Sequence, residues 1–337
     1  MNKQTETGFA SPQFLCMLFL VSALAGGIGC YLVPAIKTEE GARQYNRDYG
    51  EAKAVLRRVI AALEADPSPG TNGPEDPVWA LRGTTENGYT LTIDPVSDRL
   101  NPNFVRKNVF EKTALYRLFK PGYGAEDLQQ WREDQGLSLS AAAYQNFFDQ
   151  EVFAKYFSCY GWANINLTDE FAARKLVFAL TGSDYTAELI RRKIETLLID
   201  RTRAGRESLR SILSIHYEEL FPLINTEPLM NVNFIDPLLL KELIAYPDYK
   251  IPSPEQRWEE LVNLRSAGTL DTGDILNVLG TDSTNPLLQY LGCITWFWEL
   301  TISGGPLSCR AVVCRLPPED ADQDESGKYI LIEERYY

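Results

Sequence analysis

A single histidine and six cysteines in 337 residues, with no Cys-x-x-Cys and no His-x-x-x-His pair, leave little from which to build a transition-metal centre or an imidazole proton relay. His216 lies in the helical pattern Ser-Ile-His-Tyr-Glu-Glu-Leu without a nucleophile motif around it, and reads as a surface or half-buried structural residue. The chain has no Gly-x-x-x-x-Gly-Lys phosphate loop, no His-Glu-x-x-His, no Gly-x-Ser-x-Gly and no Gly-x-Gly-x-x-Gly opening a helix after a strand. These absences point away from an enzyme. One run has ligand chemistry: in Glu319–Glu325, Asp320, Asp322 and Asp324 stand at alternate positions and offer an oxygen cage for Ca²⁺. The run departs from the EF-hand, with Glu325 where the sixth position takes Gly and Leu331 where the twelfth takes Glu, and a solvated hairpin loop is the competing reading. No other cofactor is expected.

Charge and composition narrow the class further. Against 33 Lys and Arg stand 46 Asp and Glu, a net charge of −13, which disfavours nonspecific nucleic-acid binding. A hydrophobic content of 45% with 17 Tyr and 15 Phe supplies a buried core, and the length suits roughly two domains.

No charged side chain occurs between Glu6 and Lys37, and Phe14 to Val33 is an apolar or small run of 20 residues. At about 1.5 Å per residue it spans the roughly 30 Å hydrocarbon core of a bilayer as a helix. Three processing readings compete. Ala23-Leu24-Ala25 would end a cleaved secretory signal, Cys30 would become a lipidated N-terminus, and cleavage after Gly8 would remove a short polar leader and leave Phe9 to open the apolar helix. Beyond it Tyr45, Tyr49, Ala52, Val55, Leu56, Val59, Ile60 and Leu63 recur three or four apart, one stripe of an amphipathic helix. The two halves predict one long helix from near Phe14 to Glu64, interrupted or bent at Pro34.

Asp66 to Pro77 holds four Pro and two Gly and reads as a loop. Gly88 to Asp94 alternates Tyr89, Leu91 and Ile93 with Thr90 and Thr92, a strand with one buried face, and Asp98 to Asn103 reads as a turn. From Phe104 to Leu279 the pattern is helical, over Val109–Phe119, Ala141–Phe157, Glu170–Leu180, Ala187–Ile199, Leu209–Leu220, Leu238–Ile244, Pro254–Leu264 and Thr272–Leu279. Strand signals return in Leu291–Ile302, Leu307–Leu316 and Lys328–Glu333. Within the helical block Asn164-Ile165-Asn166 recurs as Asn231-Val232-Asn233, and the anchors Arg203 to Gly205 and Arg265 to Gly268 follow in the same order, which predicts two copies of one helical module, near 160–215 and 228–280.

Taken in order, Gly8-Phe9 before the apolar run, the turn Asp98-Arg99-Leu100-Asn101-Pro102-Asn103 after a strand, the Asn-x-Asn module and the C-terminal strands resemble the K-type minor pseudopilins of the type II (general) secretion pathway over nearly the whole chain. The resemblance implies an α+β fold, in which a pilin-like long N-terminal helix and a small antiparallel sheet are interrupted by a large helical insertion with two repeated helix-hairpin-helix or SAM-like modules. The implied organisation is a leader at 1–8, the membrane part of the helix at 9–36, pseudopilin core at 37–103, the insertion at 104–285 and the rest of the core at 286–337. Pseudopilins usually carry Glu at the fifth mature position; that place is Gln13 here, and the K-type subunits are those that lack this Glu. A neutral amide pairs more weakly with a neighbour's free amine in low dielectric, which suits the end of a fibre.

The same resemblance implies prepilin-peptidase processing at Gly8 and Phe9, a single pass through the inner membrane with the bulk of the chain in the periplasm, and calcium near the C-terminal sheet in some members. Expected partners are the I- and J-type minor pseudopilins and other type II secretion components. Gln13, Tyr45, Tyr49, Val55, Leu56, Val59 and Leu63 are the expected assembly residues. Cys16 and Cys30 read as small hydrophobes, while Cys159, Cys293, Cys309 and Cys314 would face an oxidising compartment and allow three pairings. Two other functions compete: a membrane-anchored or lipidated exported binding protein, and a helix-hairpin-helix DNA-uptake protein. Against the latter, Leu180 to Asp184 and Ala245 to Asp248 offer one Gly between them and each ends in Asp, so nucleic acid is not an expected partner.

Overall fold

The computed structural model describes residues 12–68, 70–86, 89–199, 204–221, 223–304, 307–317 and 328–337. The expected cleavage site at Gly8 and Phe9 and the acidic run with Asp320, Asp322 and Asp324 lie outside these residues, as do the side chains of Gln13, Cys16 and Cys30.

Helix α1 (Pro12–Glu64) is a single helix of 53 residues that continues through Pro34, where a break or bend was expected. Proline removes one intrahelical donor, and the flanking turns carry the helix across it. In its C-terminal half Ala52, Val55, Leu56, Val59 and Leu63 are buried. They pack on Leu91, Ile93, Trp298, Leu300, Ile302, Ala311 and Val313 of the chain's own sheet.

Among the described residues that sheet has five strands, in the order β1 (Thr85–Glu86), β2 (Tyr89–Pro95), β7 (Phe297–Ser303), β8 (Cys309–Arg315) and β9 (Tyr329–Tyr336). All its pairings are antiparallel, with a register shift between β8 and β9 at Val312 and Val313. The expected strand at 88–94 meets the C-terminal strands: Leu91 pairs with Ile302 and Ile93 with Leu300, although residues 96–296 intervene. The alternation read from the sequence has its cause here, since one side of β2 faces α1.

The intervening chain is helical. It contains α2 (Lys107–Glu111), α3 (Ala125–Gln135), α4 (Gln150–Tyr156), strand β3 (Ala163–Asn164), α5 (Glu170–Thr181), α6 (Asp184–Ile199), α7 (Arg206–Leu213), α8 (Tyr217–Leu220), strands β4 (Ile224–Asn225) and β5 (Met230–Asn231), α9 (Pro237–Ile244), α10 (Pro254–Ala267), α11 (Thr272–Leu279) and β6 (Leu291–Gly292). Three expected helices are split into shorter pieces, at 107–118, 141–156 and 206–220, and α3 was not anticipated. Leu291–Ile302 is not one strand: β6 pairs in parallel with β5, and only β7 enters the main sheet. The tight connection between α5 and α6 turns at Gly182, whose φ of +64° lies in the left-handed region that favours glycine.

The Asn-x-Asn module occurs three times rather than twice. In each copy the second asparagine's backbone N–H donates to the first one's Oδ1, at 2.9 Å for Asn103 to Asn101, Asn166 to Asn164 and Asn233 to Asn231. The carbonyl of the first asparagine then accepts from residues three and four further on: Phe104 and Val105, Leu167 and Thr168, Phe234 and Ile235. In each copy the second asparagine's side chain holds both the backbone N–H and the carbonyl of one distant residue. Asn103 holds Ser138, Asn166 holds Ala204 and Asn233 holds Leu270, with Oδ1 accepting at 2.8 Å each time and Nδ2 donating at 2.9, 3.1 and 3.0 Å. A short parallel pairing closes every copy: Leu100 with Phe157, Ala163 with Ile224, and Met230 with Leu291. The expected turn Asp98–Asn103 is thus the start of the first copy, and the array runs from Leu100 to Gly292. Copies one and three share a hydrophobic core, while the second has its own.

Candidate functional site

Three features lie where the helix and sheet meet the repeats: a polar latch, a half-buried carboxyl, and a cleft. The latch is built on Asn72, in a loop expected only to separate two parts of the chain. Its N–H donates to the Cys293 carbonyl at 2.7 Å, and its Oδ1 accepts from the Thr295 N–H at 2.8 Å. Its own carbonyl accepts from Nδ2 of Asn231 and Asn233, at 2.8 and 3.1 Å. Its Nδ2 donates to Asp66 Oδ2 and Asp76 Oδ2 at 3.0 and 3.2 Å. One buried amide therefore ties the end of α1, the third repeat and the chain entering β7 together. Burial, with Asp66 nearby, pushes the Asp76 carboxyl up to about 6. The next residue, Gly73, packs against Thr269 so closely that a Cβ there would lie 2.0 Å from the threonine Oγ1.

Asp98, between β2 and the first repeat, has its side chain 13% exposed, and its nearest charge is Arg99 Nε at 3.6 Å from Oδ1. Burial pushes its carboxyl up to about 7, with Arg99 opposing. Asp236 and Lys155, themselves paired at 3.2 Å, lie with it around one open depression.

The cleft, of about 560 Å³, lies between the outer face of the sheet and the first repeat. Arg99, Arg310, Arg335 and Glu299 contribute to one side; Leu139, Ala141, Ala142, Phe153 and Ala154 contribute to the other, and Cys159 and Tyr160 also line it. Arg310 grips both Glu299 oxygens, with Nε and Nη2 each donating at 2.8 Å.

Expected assembly residues divide in two. Val55, Leu56, Val59 and Leu63 are core residues of this chain and face its own sheet, so they do not offer a surface to a partner. The stripe periodicity reports burial without saying against what. Tyr49 is half-buried, its ring tilted against that of Tyr336 with centroids 4.6 Å apart, whereas Tyr45 is 52% exposed and stands on the outer face of α1. Cys159, Cys293, Cys309 and Cys314 are buried free thiols, so none of the three pairings forms in this structure. His216 sits beside Glu219, with Nδ1 and Oε2 3.4 Å apart. Among the described residues no group of three His, Cys, Asp or Glu side chains is placed to hold a metal ion. Among them, too, no helix is long and apolar enough to cross a membrane; the apolar run 14–33 of α1 has its side chains outside the described ones.

No protein-family model matches the chain, and no curated protein sequence is significantly similar to it. Among solved structures it is similar to a chain of the GspK-GspI-GspJ complex of the type II secretion system of enterotoxigenic Escherichia coli. The alignment covers 88% of this chain and 98% of that one, at 13% identity and a TM-score of 0.35.

The first copy of the repeat is what sequence reasoning missed. Its signal is Asn101-Pro102-Asn103, which matches the other two Asn-x-Asn motifs and stands 63 residues before Asn164, against 67 between Asn164 and Asn231. A proline at the middle position and the absence of an Ala-Gly anchor made it look like a turn.

Proposed function

We propose that the chain is a K-type minor pseudopilin, a structural subunit at the tip of a type II secretion pseudopilus rather than an enzyme. The observation that carries this reading is a long helix packed on a small antiparallel sheet that a helical array interrupts between β2 and β7. The order of sequence motifs from Gly8-Phe9 onward supports the same assignment. The array is too bulky to repeat along a thin fibre, and Gln13 offers no carboxylate to a neighbour's amine, so the subunit caps rather than extends.

In this reading the apolar half of α1 anchors the chain in the inner membrane, the remainder lies in the periplasm, and other minor pseudopilins pack along the outer face of α1 around Tyr45. Calcium, if taken up, sits at Asp320, Asp322 and Asp324. Mass spectrometry of the mature protein tests the assignment. A start at Phe9 is expected; a start at residue 26, or a lipid on Cys30, overturns it.

A further inference from the structure

The latch is built on a chemically labile pair. Asn72–Gly73 is an Asn-Gly sequence, and the chain has one other, Asn87–Gly88. With no side chain to shield it, a glycine nitrogen reaches the preceding asparagine's side-chain carbonyl carbon more readily than that of any other residue. At this pair the bond formed joins Gly73 N to Asn72 Cγ. The bond broken is Cγ–Nδ2, and Nδ2 leaves as ammonia with the proton given up by Gly73. Water then opens the succinimide ring, at Cγ to give aspartate or at the main-chain carbonyl carbon to give isoaspartate.

The fold requires this pair and also shields it. Residue 73 has no room for a Cβ, because Thr269 occupies that space. Residue 72 must present donors to Asp66 and Asp76 and an acceptor to the Thr295 N–H from one short side chain, which an asparagine amide does. Those bonds pin the amide at both ends. The Gly73 N–H donates to Asp76 Oδ1 at 3.1 Å, while the Gly73 carbonyl accepts from the Asp76 N–H at 3.2 Å and from Trp79 Nε1 at 2.7 Å. While they hold, Cγ cannot swing onto the glycine nitrogen, and burial of Asn72 keeps out the water that would open the ring.

The product no longer fits the latch. In an aspartate at position 72 an oxygen replaces Nδ2, which lies 3.0 and 3.2 Å from the Asp66 and Asp76 oxygens, so two donor–acceptor contacts become contacts between carboxyl groups. Isoaspartate lengthens the main chain by one carbon and displaces the N–H and carbonyl that meet Cys293, Asn231 and Asn233. We propose that Asn72 is a deamidation site gated by the latch: the closed latch suppresses the reaction, opening permits it, and the product keeps the joint between the end of α1, the third repeat and β7 from closing again. This stands on the latch geometry and is independent of the pseudopilin reading.

The test incubates the full chain in mild detergent at pH 8, folded and in concentrated urea, and follows the Asn72 and Asn87 peptides by mass spectrometry, with isoaspartate separated chromatographically. Relative to Asn87 in the same urea sample, Asn72 should convert at a comparable rate; in the folded chain it should convert at least about thirtyfold more slowly than in urea, because only the small open population reacts. Asp76→Ala removes the acceptor of both Asn72 Nδ2 and the Gly73 N–H, and should raise the Asn72 rate in the folded chain about tenfold or more while the fluorescence of the buried tryptophans shows that the chain stays folded. Asn72→Asp carries the product's charge and should lower the urea midpoint, a readout that does not depend on the Asp76 variant folding. A folded-state rate at Asn72 equal to or above the urea rate, an unchanged rate in a folded Asp76→Ala chain, or an unchanged midpoint in Asn72→Asp overturns the proposal.

Discussion

Replacing Asn233 by Ala deletes the clamp of the third repeat and tests whether these asparagines hold the array together. The side chain makes three hydrogen bonds, from its Oδ1 to the Leu270 N–H at 2.8 Å and from its Nδ2 to the Leu270 and Asn72 carbonyls at 3.0 and 3.1 Å. Asn72 keeps its bond from Asn231, but both polar groups of the buried Leu270 peptide lose their clamp partner. At about 1–3 kcal/mol for each buried group left unsatisfied, the loss is about 2–6 kcal/mol, a large share of the stability of an ordinary domain. Asn103→Ala should cost a similar amount, because Asn103 is equally buried and also accepts from the Tyr144 hydroxyl at 2.5 Å. Asn166 is half-buried, so water can replace part of its clamp, and about 1–2 kcal/mol is expected. Urea unfolding followed by the fluorescence of the buried Trp162, Trp296 and Trp298 measures all three. An Asn233→Ala variant within about 1 kcal/mol of the parent, or an Asn166 variant more damaging than the other two, would refute the reasoning.

Three further outcomes are expected. Val59→Asp places an unpaired charge where the side chain is 0% exposed between α1 and the sheet, so it should prevent stable folding; Tyr45→Ala should leave the unfolding midpoint unchanged and show its effect only in co-purification of partners. For Asp98, a carboxyl raised to about 7 favours the folded state while protonated, so its contribution is present below about pH 4 and is lost as the pH rises through about 7. Asp98→Asn should therefore raise stability at pH 8, by about 4 kcal/mol at most, and change little at pH 4, and urea midpoints at the two values check the sign.

Local pattern determined the elements whose cause is local. The stripe from Tyr45 to Leu63 made a helix, the alternation of Tyr89, Leu91 and Ile93 made a strand, and the loop Asp66–Pro77 broke the helix at the residues that carry Pro and Gly. The Asn-x-Asn motif was legible too, because an Asx side chain bonded to the backbone two residues on is a local structure.

What the pattern could not state is which surface covers which. Val59 has the same periodicity whether it meets its own sheet or a partner's helix, and only the packed fold placed it against Trp298 and its neighbours. Leu291 and Phe297 lie in one apolar run, yet the first pairs with Met230 and the second with Cys314, a choice made by partners far away in the chain. The first repeat was hidden for the same reason: its clamp joins Asn103 to Ser138 across 35 residues, and neither end announces the other. Nor could the sequence pair Arg310 with Glu299 or set both across from Leu139, since a cleft is made by the distance between surfaces, and that is fixed only when the sheet and the first repeat pack together.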